Sequence, residues 1–405
     1  MSSHENFAMT PISAEQEYKN LEKGQTFVFL VDPLPASLVY IGHMSNITVK
    51  IRVKTPQNTD ITHEKGISFR EGACDLLFKK CKLYRDSTVI YENNFLDVSK
   101  HMKTRFVEIP DQVYNNNTEQ IIKSSRYLKQ PEMTPIPSFC EETNLIQNNP
   151  IILTRYLPDI PYFSSEGEKW QQNIKLRLEL EVNDIGKLFI TDEQFGGDPI
   201  VEIVESPMLW ISQFEIRDKY EIPSQRPIKD IIGEQWDVQK IGEVPIGATS
   251  YASKEIIIDE EPKSAYLVFY KKKLYEGVAP FSQQLHPLLS FWAGLDRLEM
   301  KLFNTHMIFQ MPEAKHRLKV KYLFNIMDKT PNTLDEFITT EMQIFDHNSG
   351  GTGCFMLFIQ DFYACKYGSK SAMVDNKFQV FGEFAEPTTE DFITLFVTKR
   401  TIKND

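Results

Sequence analysis

The sequence predicts an all-β chain with a few short helices, arranged as two β-sandwiches in tandem. Short runs of alternating apolar and polar residues recur along both halves, and turn residues separate them. The length, 405 residues, exceeds one ordinary sandwich and suits two domains of roughly 200 residues.

The alternation is clearest at Ile174 to Val182 (IKLRLELEV). Ile174, Leu176, Leu178, Leu180 and Val182 point one way, and Lys175, Arg177, Glu179 and Glu181 point the other. That is the pattern of a strand with one buried face. Before it, Thr26 to Val31 is a continuous apolar run, Ile47 to Val53 alternates with basic residues, and Leu76 to Tyr84 starts apolar and becomes alternating. Runs at Ile200 to Val204 and Leu209 to Ile216 close the first half. Between Phe106 and Pro150 the text changes: an Asn115-Asn116-Asn117 run, a short helix expected around Glu119 to Leu128, and Pro131, Pro135 and Pro137 mark a long excursion. Tyr220 to Lys240, with Pro223 and Pro227, reads as the connection between domains. In the second half strands are expected at Glu255 to Ile258, Ala265 to Tyr270, Leu318 to Ile326, Phe355 to Phe362, Phe378 to Phe384 and Phe392 to Thr398. A helix is expected over Thr333 to Phe345, where Thr333 and Glu336 have capping-box spacing. The expected domains are therefore an N-terminal arm at 1–23, a first sandwich at 24–218 with its excursion at about 106–150, and a second at 219–405.

Composition supports buried cores: 41% of residues are hydrophobic and 12% aromatic, including 28 Phe and 16 Tyr. The formal net charge of −11 disfavours extensive contact with nucleic acid, because gripping phosphate backbones requires a basic surface. Lys271, Lys272 and Lys273 form the most basic stretch, which reads first as a solvated strand end. Five cysteines (Cys74, Cys81, Cys140, Cys354 and Cys365) lack CxxC spacing and are expected as lone thiols of a reducing compartment. Met1 to Lys23 has no signal-peptide core, and nothing approaches the ~18 apolar residues of a membrane helix. The chain is expected to be soluble and intracellular when made, leaving the sequons at Asn46 and Asn116 idle.

No P-loop, GxGxxG, GxSxG, HExxH or clustered Cys/His set occurs in the sequence. His43, His63 and His101 lack metal-ligand spacing, and His306 and His316 flank a loop-like Met311-Pro312. Glu179 and Glu181 are the pair to weigh for catalysis. Two carboxylates on one strand face have the ~5 Å separation of a retaining glycosidase. The same residues equally continue a solvated strand face rich in cross-strand charge pairs, which is the favoured reading. No catalytic, cofactor-binding or metal residue is assigned, and no cofactor is expected.

Several segments, in order, resemble the double jelly-roll major capsid proteins of the Polinton/Maverick, adintovirus, polinton-like virus and virophage group of double-stranded DNA viruses. They are Asp75 to Tyr84, Pro199 to Ile216, Glu261 to Phe269, Pro287 to Phe303 and the final series Phe355 to Phe362, Phe378 to Ala385 and Phe392 to Val397. The resemblance is one of strand order and spacing over about three quarters of the chain. It lacks the asparagine-glycine and asparagine-proline-phenylalanine loop elements common in that group.

The resemblance implies two jelly rolls and a homotrimer with pseudo-hexagonal outline. Neighbouring capsomers, penton or minor capsid proteins would be its partners in an icosahedral shell around DNA. It implies a virion location after synthesis in the host cytoplasm or nucleus, no membrane span and no enzymatic activity. Phe106 to Pro150 and Leu274 to His286 would project outwards or clasp neighbours, and Met1 to Lys23 would be an arm ordered on assembly. The alternative class is a carbohydrate-binding or host-attachment module, with Trp170 or Trp292 at a loop tip.

Overall fold

The computed structural model describes residues 5–33, 39–41, 44–61, 67–70, 72–100, 112–116, 119–123, 150–157, 159–161, 163, 168–169, 175–191, 195–216, 232–257, 264–276, 288, 295–302, 305–310, 356–358 and 377–403. In chain order the first half forms β1 (Glu5–Ser13), β2 (Thr26–Val31), β3 (Val39–Ile41), β4 (Asn46–Lys54), β5 (Ile67–Phe69), β6 (Phe78–Arg85), β7 (Thr88–Asn93), β8 (Gln112–Asn116), β9 (Glu119–Lys123) and β10 (Ile151–Tyr156). It continues with β11 (Glu168–Lys169), β12 (Leu176–Val182), a 3-10 turn η1 (Ile185–Leu188), β13 (Phe189–Thr191), β14 (Ile200–Ile203) and β15 (Met208–Ile216). The second half forms β16 (Ile232–Val244), β17 (Ser250–Ala252), β18 (Ile256–Ile257), β19 (Ser264–Lys271), a short helix α1 (Lys272–Tyr275), β20 (Leu295–Leu302), β21 (Thr305–Gln310), β22 (Met356–Phe358), β23 (Lys377–Phe384) and β24 (Phe392–Lys403).

The pairing, more than the strand list, defines the architecture. In the first half β1 pairs with β15, β15 with β4, and β4 with β10, while β2-β12-β6-β7 forms a second sheet. In the second half β16-β24-β19-β22 forms one sheet and β17-β23-β20-β21 the other. Matched in order, the two sets of pairings are the same: opening strand with closing strand, closing strand with an early one, and the long crossover back to the sheet edge. That is a jelly roll, and the chain makes it twice. The rhythm shared by the two halves is thus a shared topology. The first roll adds β3, β8, β9, β11 and β14 to its larger sheet.

The pattern of side chains decides the register. Leu176, Leu178, Leu180 and Val182 of β12 are buried, and they meet Ile47, Val49 and Ile51 of β4 in one core. Shifting β12 by one residue would turn its four apolar side chains to solvent and bury its charges. In β2, Phe27, Phe29 and Val31 face the core and Val28 on the other face is also covered, while Leu30 beyond it on that face is 46% exposed. Tyr18 lies on Phe27 with ring centroids 4.7 Å apart, and its hydroxyl donates to the Thr26 carbonyl at 2.6 Å.

Several expectations are corrected. Residues 5–13, expected within a separate arm, are strand β1, paired along its whole length with β15. The helix expected around Glu119 to Leu128 is instead strand β9 over Glu119–Lys123. It pairs antiparallel with β8 and parallel with β10, so sheet pairing overrides local helix preference; 124–128 lie outside the described residues. The connection expected over Tyr220 to Lys240 is a strand from Ile232 onward, where β16 runs against β24. Leu76 and Leu77 belong to a buried turn that precedes β6. The expected strand at Leu318 to Ile326 and helix at Thr333 to Phe345 lie outside the described residues, as does Phe355 to Phe362 apart from β22.

Candidate functional site

No constellation of three or more His, Cys, Asp or Glu side chains that could hold a metal occurs among the described residues. What the chain offers instead is surfaces, and the most elaborate joins its two rolls. In β24, Phe392 to Val397 are buried without a break. A strand can be buried throughout only when both faces of its sheet are covered. Phe396 stacks on Phe378 at 4.4 Å within the second roll. Ile393, Leu395 and Val397, with Val268, Tyr270 and Trp236, instead join the core cluster that continues into the first roll. One face of the second roll's sheet is therefore a core face shared between rolls.

Polar groups pin this junction. The Asn93 amide, 4% exposed, donates to the Tyr91 hydroxyl at 3.0 Å, the Ser99 Oγ at 2.9 Å and the Trp236 carbonyl at 3.3 Å. Its oxygen accepts from the Phe95 N–H at 2.8 Å. Trp236 is in the second roll, so a single side chain of β7 ties the rolls together. Beside it the Lys187 ammonium lies 4.6 Å from the Tyr275 ring centre and 3.9 Å from Asp97. Asp97 also accepts from the Asn183 amide at 2.9 Å and from the Val98 N–H at 2.9 Å, and Tyr275 stacks on Tyr270 at 5.7 Å. Burial lowers the Lys187 ammonium below its ordinary value, and the Asp97 charge opposes that shift. Burial raises the Tyr91 and Tyr275 phenols well above theirs.

Deeper in the first roll, Arg155 and Asp159 are both fully buried and pair through two bonds, Nη1–Oδ1 at 3.2 Å and Nη2–Oδ2 at 2.6 Å. Burial works against the Arg155 charge, but the Asp159 charge and hydrogen bonds outweigh it and leave the guanidinium above its ordinary value. Buried charges persist only when paired in this way.

The carboxylates weighed for catalysis are engaged elsewhere. Glu179 pairs with Arg177 at 2.7 Å and accepts from the Tyr84 hydroxyl at 3.3 Å, and Glu181 pairs with Lys80 at 2.7 Å. They lie in an ion-pair ladder across the outer face of β12 and β6. In the basic stretch, Lys271 pairs with Glu390 at 2.8 Å and Lys272 with Glu243 at 2.6 Å. Leu274 and Tyr275, expected in a projecting loop, are buried in α1. The sequon asparagine Asn46 is 7% exposed and its amide donates to the Met44 carbonyl at 2.9 Å, which leaves it unsuited to carry a glycan. Asn116 ends β8. Cys74 and Cys81 are buried thiols outside any disulfide, and burial pushes the Cys81 thiol far up. His306 lies in β21; His43, His63, His101, His316, Cys140, Cys354, Cys365, Trp170 and Trp292 lie outside the described residues. No helix among the described residues is long and apolar enough to cross a membrane.

Sequence reasoning did not single out Asn93, Arg155, Asp159 or Lys187. A signal existed for one pair: Arg155 interrupts the apolar run Ile151 to Leu157, and Asp159 follows four residues later. Asn93 and Lys187 carry no such mark, because their partners come from distant segments.

No protein-family model matches the chain, and neither does any curated protein sequence. Solved structures do match in fold. A chain of the Sputnik virophage, seen by cryo-EM, superposes with a TM-score of 0.59 at 12% identity, covering 99% of this chain and 86% of that one. The mavirus major capsid protein gives 0.56 at 10% identity, with 98% and 87% covered. The Faustovirus major capsid protein gives 0.53 at 9% identity, with 100% and 92% covered. At these identities the shared property is the fold: a double jelly roll over essentially the whole chain.

Proposed function

We propose that this chain is a major capsid protein, whose copies trimerise into pseudo-hexagonal capsomers and build an icosahedral shell around double-stranded DNA. The observation that carries this reading is the tandem of two jelly rolls of identical pairing, shared over nearly the full chain with the mavirus and Faustovirus major capsid proteins. Two similar rolls per chain give three copies six nearly equivalent corners, which is how a trimer fills a hexagonal lattice position. The junction suits that task, since a shell subunit gains from rolls held in one fixed relation.

The division of the chain near residue 218 into two rolls follows the same logic. The role is structural and not enzymatic: Glu179 and Glu181 are both held in ion pairs. The partners are further copies of the chain, then penton or minor capsid proteins, and the mature location is the virion. With a net charge of −11, direct gripping of the genome is not part of the role.

Light scattering of the purified native protein tests the reading. The expected result is a stable species near three times 47.1 kDa, with closed particles at high concentration. A strict monomer that never assembles would overturn it.

A further inference from the structure

The junction within the chain has two sides of different kinds. On the second roll it is a sheet face: Ile393, Leu395 and Val397 of β24, with Val268 and Tyr270 of β19, point away from their own roll and are buried against the first. On the first roll it is one end. Asn93 closes β7 there, and η1, in the connection from β12 to β15, brings Lys187 onto Tyr275. The connection from β1 to β2 is fastened to the same end: Gly24 N–H donates to the Val182 carbonyl at 3.0 Å, and Lys23 pairs with Asp184 at 2.9 Å. Because both rolls repeat one pairing scheme, each has such a face and such an end, and the internal junction uses only one of each.

The first roll's counterpart of the buried face is the outer side of β1-β15-β4-β10. Leu209 and Ile211 of β15 point into the core, so Met208 and Trp210 point out, and register sets Ser13 and Pro11 of β1 directly opposite them. On the second roll the matching face is fully buried. Here Pro11 and Ser13 are exposed, and Met208 and Trp210 are only half-buried. Further across the sheet Asn46, Thr154 and Tyr156 are covered within the chain, so the open part is the side formed by β1 and β15. Trp210 Nε1 donates to Thr48 Oγ1 at 3.0 Å, which fixes the ring and satisfies its one polar atom. A held tryptophan beside methionine and proline has the composition of an interface centre, with its ordering cost already met.

The second roll's counterpart of the covering end is residues 385–391, which join β23 to β24, together with the turn from β16 to β17. The two connections are again fastened to each other. Ile246 N–H donates to Asp391 Oδ1 at 2.7 Å, Gly247 N–H to the Thr388 carbonyl at 2.7 Å, and the Thr388 hydroxyl to the Pro245 carbonyl at 2.7 Å. Ile246, 64% exposed, is the apolar tip of this end, and Pro387 and Thr389 beside it are exposed. We propose, resting on the capsid reading, that this end of one copy seats on the Pro11–Trp210–Met208 face of the next, repeating between copies the end-on-face contact that joins the rolls within one. The contact is head-to-tail. Alternating with the internal junction, it passes from roll to roll in one sense and closes a ring.

The test uses the full chain in sedimentation velocity, with Pro11→Glu on the face, Ile246→Asp on the end and Leu30→Asp as an exposed apolar control on the other sheet of the first roll. The expected result is that Pro11→Glu and Ile246→Asp each weaken self-association about tenfold or more, with circular dichroism like the parent's, while Leu30→Asp associates like the parent. Copies carrying Ser13→Cys, co-expressed with copies carrying Thr389→Cys, should be joined by a bifunctional maleimide, and mass spectrometry maps the link. Each copy carries only one of the two positions, so that product reports a contact between copies. A parent that associates while Pro11→Glu and Ile246→Asp associate equally well, or co-expressed copies that never link through those two positions, overturns this contact and leaves the capsid reading standing. A parent that stays monomeric overturns both.

Discussion

Replacing Asn93 by alanine tests whether the two rolls form one cooperative body. The amide's two hydrogens serve three oxygens, and its own oxygen serves the Phe95 N–H, so about three full hydrogen bonds are lost. At about 1 kcal/mol net for each buried bond, Asn93→Ala should cost roughly 3 kcal/mol. Unfolding entropy of ~2.1 cal/mol/K per residue over a cooperative unit of this length converts that cost to a fall in Tm of roughly 3–4 °C. A transition confined to the first roll would move by roughly twice as much and leave the second untouched. Asn93→Asp should be worse than the alanine variant. A carboxylate has no hydrogen to give the Trp236 carbonyl, and its charge would be buried. Calorimetry measures the transition, and hydrogen exchange of β23, inside the second roll, reports whether the loss crosses the junction. A cost below ~0.5 kcal/mol, an aspartate variant as stable as alanine, or unchanged exchange at β23 would refute the reasoning.

Two further predictions concern the ammonium beneath Tyr275 and a packed glycine. Lys187 has a folded-state pKa below the unfolded 10.5, so the native state binds fewer protons than the unfolded one between those two values. Its contribution to stability therefore rises with pH across that window, and the penalty is fully present below it. Lys187→Met should flatten the stability–pH profile on the alkaline side, checked by urea unfolding from pH 7 to 10; a profile parallel to the parent's would contradict the assignment. Gly242→Ala should destabilise by about 1–3 kcal/mol, because a Cβ there would sit 2.5 Å from the Tyr251 Oη and 2.9 Å from its Cε2. Trimming the ring with Tyr251→Leu in the same chain should recover part of that loss, again read by urea unfolding.

The strands with one wet face were legible from sequence. β12, β4 and β23 alternate at period two, and their buried residues are those the alternation marks. Such a face is recorded locally, since each side chain answers to water on one side and core on the other. The continuous run Phe392 to Val397 was legible as a strand, but not as the wall between two rolls. A run that is apolar at both alternate sets of positions, interrupted only by Thr394, says that both faces are covered and does not name the cover.

The candidate surfaces divide in the same manner. Glu179 drew notice for its spacing with Glu181, yet its observed work is to hold Arg177 and Tyr84, a pairing that needs β12 and β6 in register. Strand β9 went unrecognised because Glu119 to Lys123 gains its pairing from β8 and β10, and helix preference over so few residues is a weak force against two ladders. Residues 5–13 read as an arm because their polar, mixed text lacks a buried stripe; their strand state comes from β15, some 200 positions away in the chain.

By itself the sequence determined the β class, the two-part plan and the acidic, motif-poor character of the chain. These depend on local alternation and on summed composition. Tertiary structure alone decided that the halves repeat one pairing scheme, that Asn93 and Lys187 reach across to Trp236 and Tyr275, and that Pro11 and Trp210 share a face. Each of those depends on register between strands far apart in the chain. Register is set by the simultaneous packing of every apolar face, which no single segment encodes.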